Sequence, residues 1–112
     1  MLNLMAVDET LRALASPTRR AILELVWDTE RSSSEIADAV RATRPATSQH
    51  LKVLRDAGLV RVRADGNQRL YRVDTEHLAA VRSALEAFWG ARLGRLSAAV
   101  AADRQRSGGG PP

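Results

Sequence analysis

The sequence contains no cysteine, which excludes structural disulfides, thiolate metal ligands and cysteine nucleophiles. His50 and His77 are the only imidazole ligands left. No apolar run approaches the roughly 18 residues that a membrane-spanning helix needs. The stretch from Met1 to Val7 also lacks the basic start and the length of a signal peptide. We therefore expect a cytoplasmic protein without a membrane partner.

Lysine is nearly absent, because Lys52 is the single lysine among 17 basic residues. Arginine suits bidentate contacts with phosphates and guanine, although a GC-rich genome would produce the same bias. The formal charge is −3 over residues 1–40, +6 over residues 41–72 and +1 over the remainder. A basic segment in an otherwise balanced protein favours a polyanionic partner. A solvated basic face is the alternative interpretation.

The length of 112 residues leaves room for one compact domain and no second catalytic domain. A composition of 45% hydrophobic and 27% charged residues is ordinary for a globular protein. We expect one folded domain over residues 1–106 and a flexible tail rich in glycine and proline over residues 107–112.

Helical periodicity and capping residues predict two short helices at the start of the chain. Apolar residues three and four positions apart, beginning at Val7, indicate a first helix that ends before Ser16. Ser16 as a cap and Pro17 as the first helical residue indicate a second helix that runs to about Trp27.

Two further helices follow a short connection. The segment Ser32–Glu35 has the pattern of a capping box and predicts a third helix that reaches Val40. Thr43 is suited to cap a fourth helix over residues 44–57, and Gly58 supplies the left-handed residue that ends it.

A β-hairpin and one long helix are predicted for the rest of the chain. The runs 59–63 and 70–73 carry β-branched or alternating residues, and Asp65-Gly66-Asn67 lies between them. Asp74 is expected to cap a last helix whose apolar positions continue to Val100. The predicted fold is mainly helical with a small hairpin, in the order ααααββα, which is the plan of a winged helix-turn-helix domain.

The fourth helix is predicted to have two different faces. Thr47, Leu51 and Leu54 fall on one side and are expected to dock on the preceding helices, and a polar face suited to a DNA major groove lies opposite. Gln49 can pair with adenine, and Lys52 and Arg55 suit phosphates. The complete predicted set of DNA-contacting residues, with the hairpin and Thr47 included, is Arg44, Pro45, Thr47, Ser48, Gln49, His50, Lys52, Arg55, Arg63, Asn67, Gln68, Arg69 and Tyr71.

His50 lies at the boundary of the two faces, where it either donates to a phosphate or packs as a partly buried ring. The hairpin tip around Arg69 is expected against an adjacent minor groove or its phosphates. The alternative for the tip is a charged edge that discourages sheet pairing between molecules.

The last helix is apolar on more than one stripe, which a chain of this size would struggle to bury alone. We therefore expect a homodimer whose twofold pairing places two fourth helices about 34 Å apart on a pseudo-palindromic site. A long helix folded back over its own domain is the alternative. The predicted dimer interface consists of Leu11, Leu78, Val81, Leu85, Phe88, Trp89, Leu93 and Leu96.

Two segments, Leu14–Leu23 and Thr47–Val60, followed by the strand Arg69-Leu70-Tyr71, resemble the arsenical-resistance repressor (ArsR) family. The resemblance covers nearly all of residues 8–100 and implies a dimeric repressor of transcription that an inducer releases from its operator. It also implies that Ser48 and His50, together with the hairpin or wing, contact the operator. The inducer, if there is one, is an unidentified small molecule.

The metal-sensing positions of the family are not filled by metal ligands here. Metal sensors of the family have cysteines where this chain has Ser32 and Ser34, and hydroxyls are poor ligands for soft metals. Asp74 and His77 faintly resemble a second family site, but their spacing favours a helix cap and an exposed side chain. The Phe88-Trp89 pair resembles a metal-free branch of the family. We expect no metal and no cofactor.

Three other functions are less consistent with the sequence. An enzyme is disfavoured because the chain offers no paired carboxylates, nucleophile elbow, Gly-rich phosphate loop or metal cluster. A winged helix used only for protein contact would leave the basic helix face unexplained. An architectural DNA binder would bind unrelated duplexes equally well.

Overall fold

The computed structural model describes residues 4–108. Over this range the fold is mainly helical with a three-stranded antiparallel sheet, and the elements follow the order ααβααββα. Their bounds are α1 (Leu4–Leu14), α2 (Pro17–Leu25), β1 (Arg31–Ser32), α3 (Ser33–Val40), α4 (Arg44–Asp56), β2 (Val60–Asp65), β3 (Gln68–Val73) and α5 (Thr75–Gly108). None of the helices in this range has both the length and the apolar character of a membrane span.

The predicted helix starts are confirmed by their capping hydrogen bonds. The Ser16 hydroxyl accepts from the Arg19 amide at 3.3 Å, and Pro17 occupies the first turn of α2. In the capping box of α3, the Glu35 amide donates to the Ser32 hydroxyl at 3.2 Å and the Ser32 amide donates to the Glu35 carboxylate at 3.0 Å. Helix α2 ends at Leu25, two residues earlier than predicted.

The sheet has one strand more than the sequence predicts. Strand β3 lies in the middle, with β2 on one side as a hairpin partner and β1 on the other. Val60 pairs with Val73 and Asp65 pairs with Gln68, so residues 66–67 form the turn. The two-residue strand β1 pairs Arg31 with Tyr71 and joins the segment before α3 to the hairpin.

The hydrophobic core lies where α2, α3, α4 and the sheet meet. Its fully buried large side chains are Ile22, Val26, Ile36, Leu51, Leu54 and Leu59. Gly58 closes α4 with the positive φ of 76° that the sequence predicts. The next residue, Leu59, then enters the core, so the end of α4 and the start of the sheet are fixed together.

Helix α5 packs against α1 at its beginning and extends beyond the domain. Asp74 caps it as predicted, because its Oδ1 accepts the His77 amide at 3.0 Å. The helix continues to Gly108, two residues into the predicted tail, and residues 109–112 lie outside the described range. Because α5 projects, the molecule measures 71 × 34 × 22 Å.

Candidate nucleic-acid interface

Helix α4 separates a core face from a polar face, as predicted. Leu51 and Leu54 are buried on the core side. Thr43 caps the helix, because its hydroxyl accepts from the Ala46 amide at 3.2 Å. The six predicted contact residues that the structure leaves exposed on this helix are Arg44, Pro45, Ser48, Gln49, Lys52 and Arg55.

Two residues of the predicted contact set lie in the core instead. Thr47 is 1% exposed, and its hydroxyl donates to the Thr43 carbonyl at 2.9 Å. Tyr71 is 8% exposed and packs with the core residues from the centre of the sheet. The inclusion of Thr47 and Tyr71 was therefore wrong, because both side chains point to the core side of the elements that carry them.

His50 is half-buried and is held from the side of α2. Arg19 lies within 3.4 Å of His50 Nδ1, and the same guanidinium donates to the Ala13 carbonyl at 2.7 Å. A guanidinium has no acceptor, so this contact makes Nδ1 the acceptor and places the proton of the neutral ring on Nε2. The His50 ring is therefore partly packed, and its donation to a phosphate stays a prediction.

The hairpin, or wing, presents polar side chains at its tip. Asn67, Gln68 and Arg69 are all exposed there. Arg63 lies farther from the turn, where its guanidinium donates to both carboxylate oxygens of Glu30 at 2.9 and 3.1 Å. The ion pair raises the pKa of Arg63 through its hydrogen bonds to Glu30. A phosphate contact by Arg63 would have to replace this pair.

The basic residues differ in how far they are already neutralised. Lys52 Nζ lies 2.6 Å from Asp56 on the same helix. Arg61 is bound to Asp74 at 3.1 Å and to Glu76 at 3.2 Å. Among the described residues of the basic segment 41–72, the arginines that form no side-chain hydrogen bond or ion pair are Arg41, Arg44, Arg55, Arg69 and Arg72. These are the cations that remain available to an anionic partner.

A polar groove connects the start of α4 with the wing tip. It has a volume of about 360 Å³ and is lined by Arg44, Arg69 and three consecutive serines, Ser32 to Ser34, among others. From the sequence, Ser33 and Ser34 were expected in a helix cap, and Ser34 also at a metal-sensing position of the family, but neither of them was predicted on this surface. Their position in the groove depends on β1, which brings the start of α3 beside the wing, and no local pattern in the sequence shows it.

Asp74 links the wing to α5 electrostatically. Burial acts to raise its pKa, but the hydrogen bond from the His77 amide and the ion pair with Arg61 outweigh this effect, so the pKa is lowered. The shift means that ionised Asp74 stabilises the folded state.

The predicted dimer interface divides into two parts. Val81 is buried within its own chain, which corrects its assignment to a partner contact. Leu78 is half-buried and packs against the chain's own core, and its partner contact stays a prediction. Leu85 and Phe88 are half-buried. Leu11 on α1 and, on α5, Trp89, Leu93 and Leu96 are 47–58% exposed. An apolar surface without cover therefore remains on α5 and α1.

His77 was predicted to be exposed, but its side chain is half-buried. Its ring lies over Gly58, where a Cβ atom would come within 3.0 Å of the ring, and its Nε2 is buried with no hydrogen-bond partner in the structure. Among residues 4–108 no group of three or more acidic or histidine side chains is placed to hold a metal ion. His77 is therefore a packing residue between α4 and α5.

The chain is similar to known regulators. A family model described as bacterial regulatory protein, arsR family, matches residues 16–62. The HTH-type transcriptional regulator Rv2034 of Mycobacterium tuberculosis is 45% identical over 82 residues, which are 73% of this chain and 77% of that protein. The HTH-type transcriptional repressor SmtB of the same species is 43% identical over 74 residues, which are 66% of this chain and 55% of that protein.

The solved structures agree with this result. The solution structure of the homodimeric winged helix-turn-helix DNA-binding domain Mb0332 from Mycobacterium bovis, described as a possible ArsR-family transcriptional regulator, superposes with a TM-score of 0.64. It is 28% identical in sequence, and the match covers 75% of this chain and 79% of that one. The matched family segment runs from the cap of α2 through α4 into β2. Together with the fold, these similarities show that the chain belongs to the arsR family of bacterial regulatory proteins.

Proposed function

We propose that this chain is a cytoplasmic, homodimeric repressor of transcription that binds operator DNA through α4 and the wing. The observation that carries the proposal is the exposed polar face of α4, which continues across the 360 Å³ groove to the wing tip. This surface lies in the segment of +6 charge. Membership of a family with named transcriptional repressors supports the same function.

In this proposal α4 enters the major groove, where some of its side chains contact bases and others contact phosphates. Ser48 and Gln49 meet base edges, because their short polar side chains can donate and accept. Arg44 and Arg55 bind phosphates, and the Nε2 proton of His50 donates to a phosphate. At the wing, Arg69 contacts the adjacent minor groove or its backbone.

The dimer is proposed from the apolar surface of α5 and α1. Leu93, Leu96 and Trp89 are each about half exposed, and burial against a second copy removes them from water. The relative Mb0332 is described as homodimeric. A twofold dimer places the two α4 helices about one DNA turn apart, so the operator is expected to be pseudo-palindromic.

The proposal is tested by binding of the purified protein to its own upstream DNA and to a scrambled duplex of equal length, over a series of salt concentrations. We expect a preference of roughly a thousandfold or more for the upstream DNA, with affinity falling steeply as salt increases. Equal affinity for both duplexes would indicate an architectural role, and absence of binding would indicate a protein-contact module. A reporter gene behind the upstream DNA then distinguishes repression from activation.

The variant Gln49→Ala provides the residue-level control in the same assay. Removal of a base contact is expected to cost about 1–3 kcal/mol on the upstream DNA and to leave binding to the scrambled duplex unchanged. Equal losses on both duplexes would show that Gln49 does not read sequence.

A further inference from the structure

A second groove lies between α2 and α3 and shares no lining residue with the polar groove beside the wing. It has a volume of about 660 Å³, within the range of roughly 300–1,000 Å³ that small-molecule sites occupy. Its described lining comes from α2, α3 and the segment that joins them, and includes none of the residues assigned above to DNA or to the dimer.

One part of the lining is apolar. Ala21 and Leu25 contribute from α2, and Val40 contributes from the end of α3. Leu25 and Val40 are only half-buried, so the groove leaves part of their surface open. An aliphatic or aromatic group placed here would remove this surface from water.

Two carboxylates in the lining have no partner. Glu24 and Asp28 both line the groove, and within residues 4–108 neither side chain forms a hydrogen bond or an ion pair. Two acidic groups in one groove, without a compensating cation bound to them, attract an ammonium group.

A guanidinium in the same lining is also unsatisfied. Arg31 Nε is buried with no hydrogen-bond partner in the structure. Its NH1 lies 3.8 Å from Glu35, which is too long for a hydrogen bond, and the Glu35 carboxylate already accepts the Ser32 amide. The Arg31 side chain is 43% exposed, so its outer nitrogens remain open to a carboxylate.

We propose that the α2–α3 groove binds an apolar zwitterion, either a free amino acid or a short peptide, as the effector of this regulator. The ammonium group meets Glu24 and Asp28, the carboxylate meets Arg31, and the apolar part covers Ala21, Leu25 and Val40. A ligand with only one charge would leave one of these groups unpaired.

The groove is connected to the DNA-binding surface through Arg31. This residue pairs with Tyr71 in the wing strand, and the next residue, Ser32, caps α3. A carboxylate bound to Arg31 therefore acts at the junction of the wing and the helix that precedes α4. The effector role rests on the proposed function, whereas the binding of the zwitterion does not.

Binding is tested by an NMR titration of the full chain with leucyl-leucine, and with free leucine to distinguish a peptide from an amino acid. N-acetyl-leucyl-leucine, which lacks the ammonium, and leucyl-leucinamide, which lacks the carboxylate, are the matched probes. We expect saturable shifts at the groove, with each blocked probe roughly tenfold or more weaker than the parent peptide. No saturable shift, or equal affinity for the parent and blocked peptides, would overturn the proposal.

Variants test the same assignment from the protein side. The double variant Glu24→Gln, Asp28→Asn is expected to lower the affinity for the parent peptide roughly tenfold and to leave the affinity for the N-acetyl peptide unchanged. Asp38→Asn, an exposed acid on α3 outside the groove lining, is the control and should have no effect. If Asp38→Asn weakens binding equally, the site lies elsewhere.

The effector role is measured as the affinity for the upstream DNA with and without a saturating concentration of the tighter-binding probe. We expect a changed affinity in the wild type and no change in the double variant. Unchanged affinity in a chain that binds both the probe and DNA would overturn the effector role. A chain that binds the probe but never binds DNA would instead contradict the proposed function.

Discussion

Gly58 is required for two separate physical reasons. Its φ of 76° disfavours any residue with a Cβ, and an added Cβ would lie 3.0 Å from the His77 ring. Gly66 in the wing turn has a similar φ of 62°, but a Cβ there would meet open space. An alanine at Gly66 would therefore introduce backbone strain alone, whereas an alanine at Gly58 would introduce backbone strain and a steric clash with His77.

We expect Gly66→Ala to reduce the free energy of unfolding by about 1 kcal/mol and Gly58→Ala to reduce it by about 2–4 kcal/mol. Urea denaturation of the two variants measures the difference. In a His77→Ala background, Gly58→Ala should cost no more than Gly66→Ala does. A persistent excess would show that the His77 ring is not the obstacle.

Asp74 gives the protein a defined acid sensitivity. Its lowered pKa means that its contribution to stability is fully present above the ordinary aspartate pKa, near 4, and is lost as the pH falls through the lowered value. We expect Asp74→Asn, which keeps a capping oxygen but loses the charge, to reduce the free energy of unfolding at pH 7 by about 1 kcal/mol.

The difference between Asp74→Asn and the wild type should begin to shrink as the pH falls below about 4 and should vanish only below the lowered pKa of Asp74, which urea denaturation over a pH series measures. Glu76→Gln removes the other, highly exposed partner of Arg61 and serves as the control. A difference that stays constant with pH would mean that the Asp74 charge does not stabilise the fold.

At the scale of the elements, local sequence patterns correctly predicted the helix starts and ends that depend on neighbouring residues. The capping box of α3, the cap of α5 and the end of α4 at Gly58 each depend on residues within a few positions of one another, and all three are confirmed. Strand β1 could not be predicted, because its two residues adopt strand pairing only through β3, about forty positions away.

The same distinction explains which predicted site residues are exposed in the structure. The polar face of α4 follows from helical spacing, so its exposed residues were predicted together. The ion pair between Arg63 and Glu30 joins residues 33 positions apart, and no local sequence pattern predicts it. Thr47 was included among the predicted DNA contacts, although helical spacing places it on the apolar face of α4. The structure agrees with the spacing, because Thr47 is buried.

The wing has its own test in Arg69, an exposed arginine without an ion pair in the described structure. We expect Arg69→Ala to weaken binding to upstream and scrambled DNA by similar factors and to reduce the slope of log affinity against log salt by about 0.9. Arg104→Ala, on the exposed distal part of α5, is the matched control and should leave the slope unchanged. A loss confined to the upstream DNA would mean that Arg69 reads bases.

The whole molecule is asymmetric, since α5 carries an apolar row beyond the globular part. Trp89, Leu93, Leu96 and Val100 are all exposed and repeat at spacings of four, three and four residues. This spacing keeps them on one side of a helix and is typical of a helix that pairs with another helix.

We expect Leu93→Glu combined with Leu96→Glu to convert the dimer to a monomer, because paired apolar surfaces do not accept unpaired carboxylates. Sedimentation equilibrium measures the mass, and affinity for the upstream DNA should fall with dimer loss. Ala98→Glu, which lies roughly opposite the row at 100° per residue, should remain dimeric. A double variant that keeps the wild-type mass would contradict an α5 interface.

Strand β1 has a consequence for engineering. Because Arg31 and Ser32 pair with the central strand of the wing, the start of α3 and the hairpin are joined by strand pairing as well as by the chain. A chimera that receives only α4 from this protein would leave the recognition surface without its flanking serines and wing. A transplant of residues 16–73 would carry the whole unit, so exchange of operator preference between regulators should use that cassette.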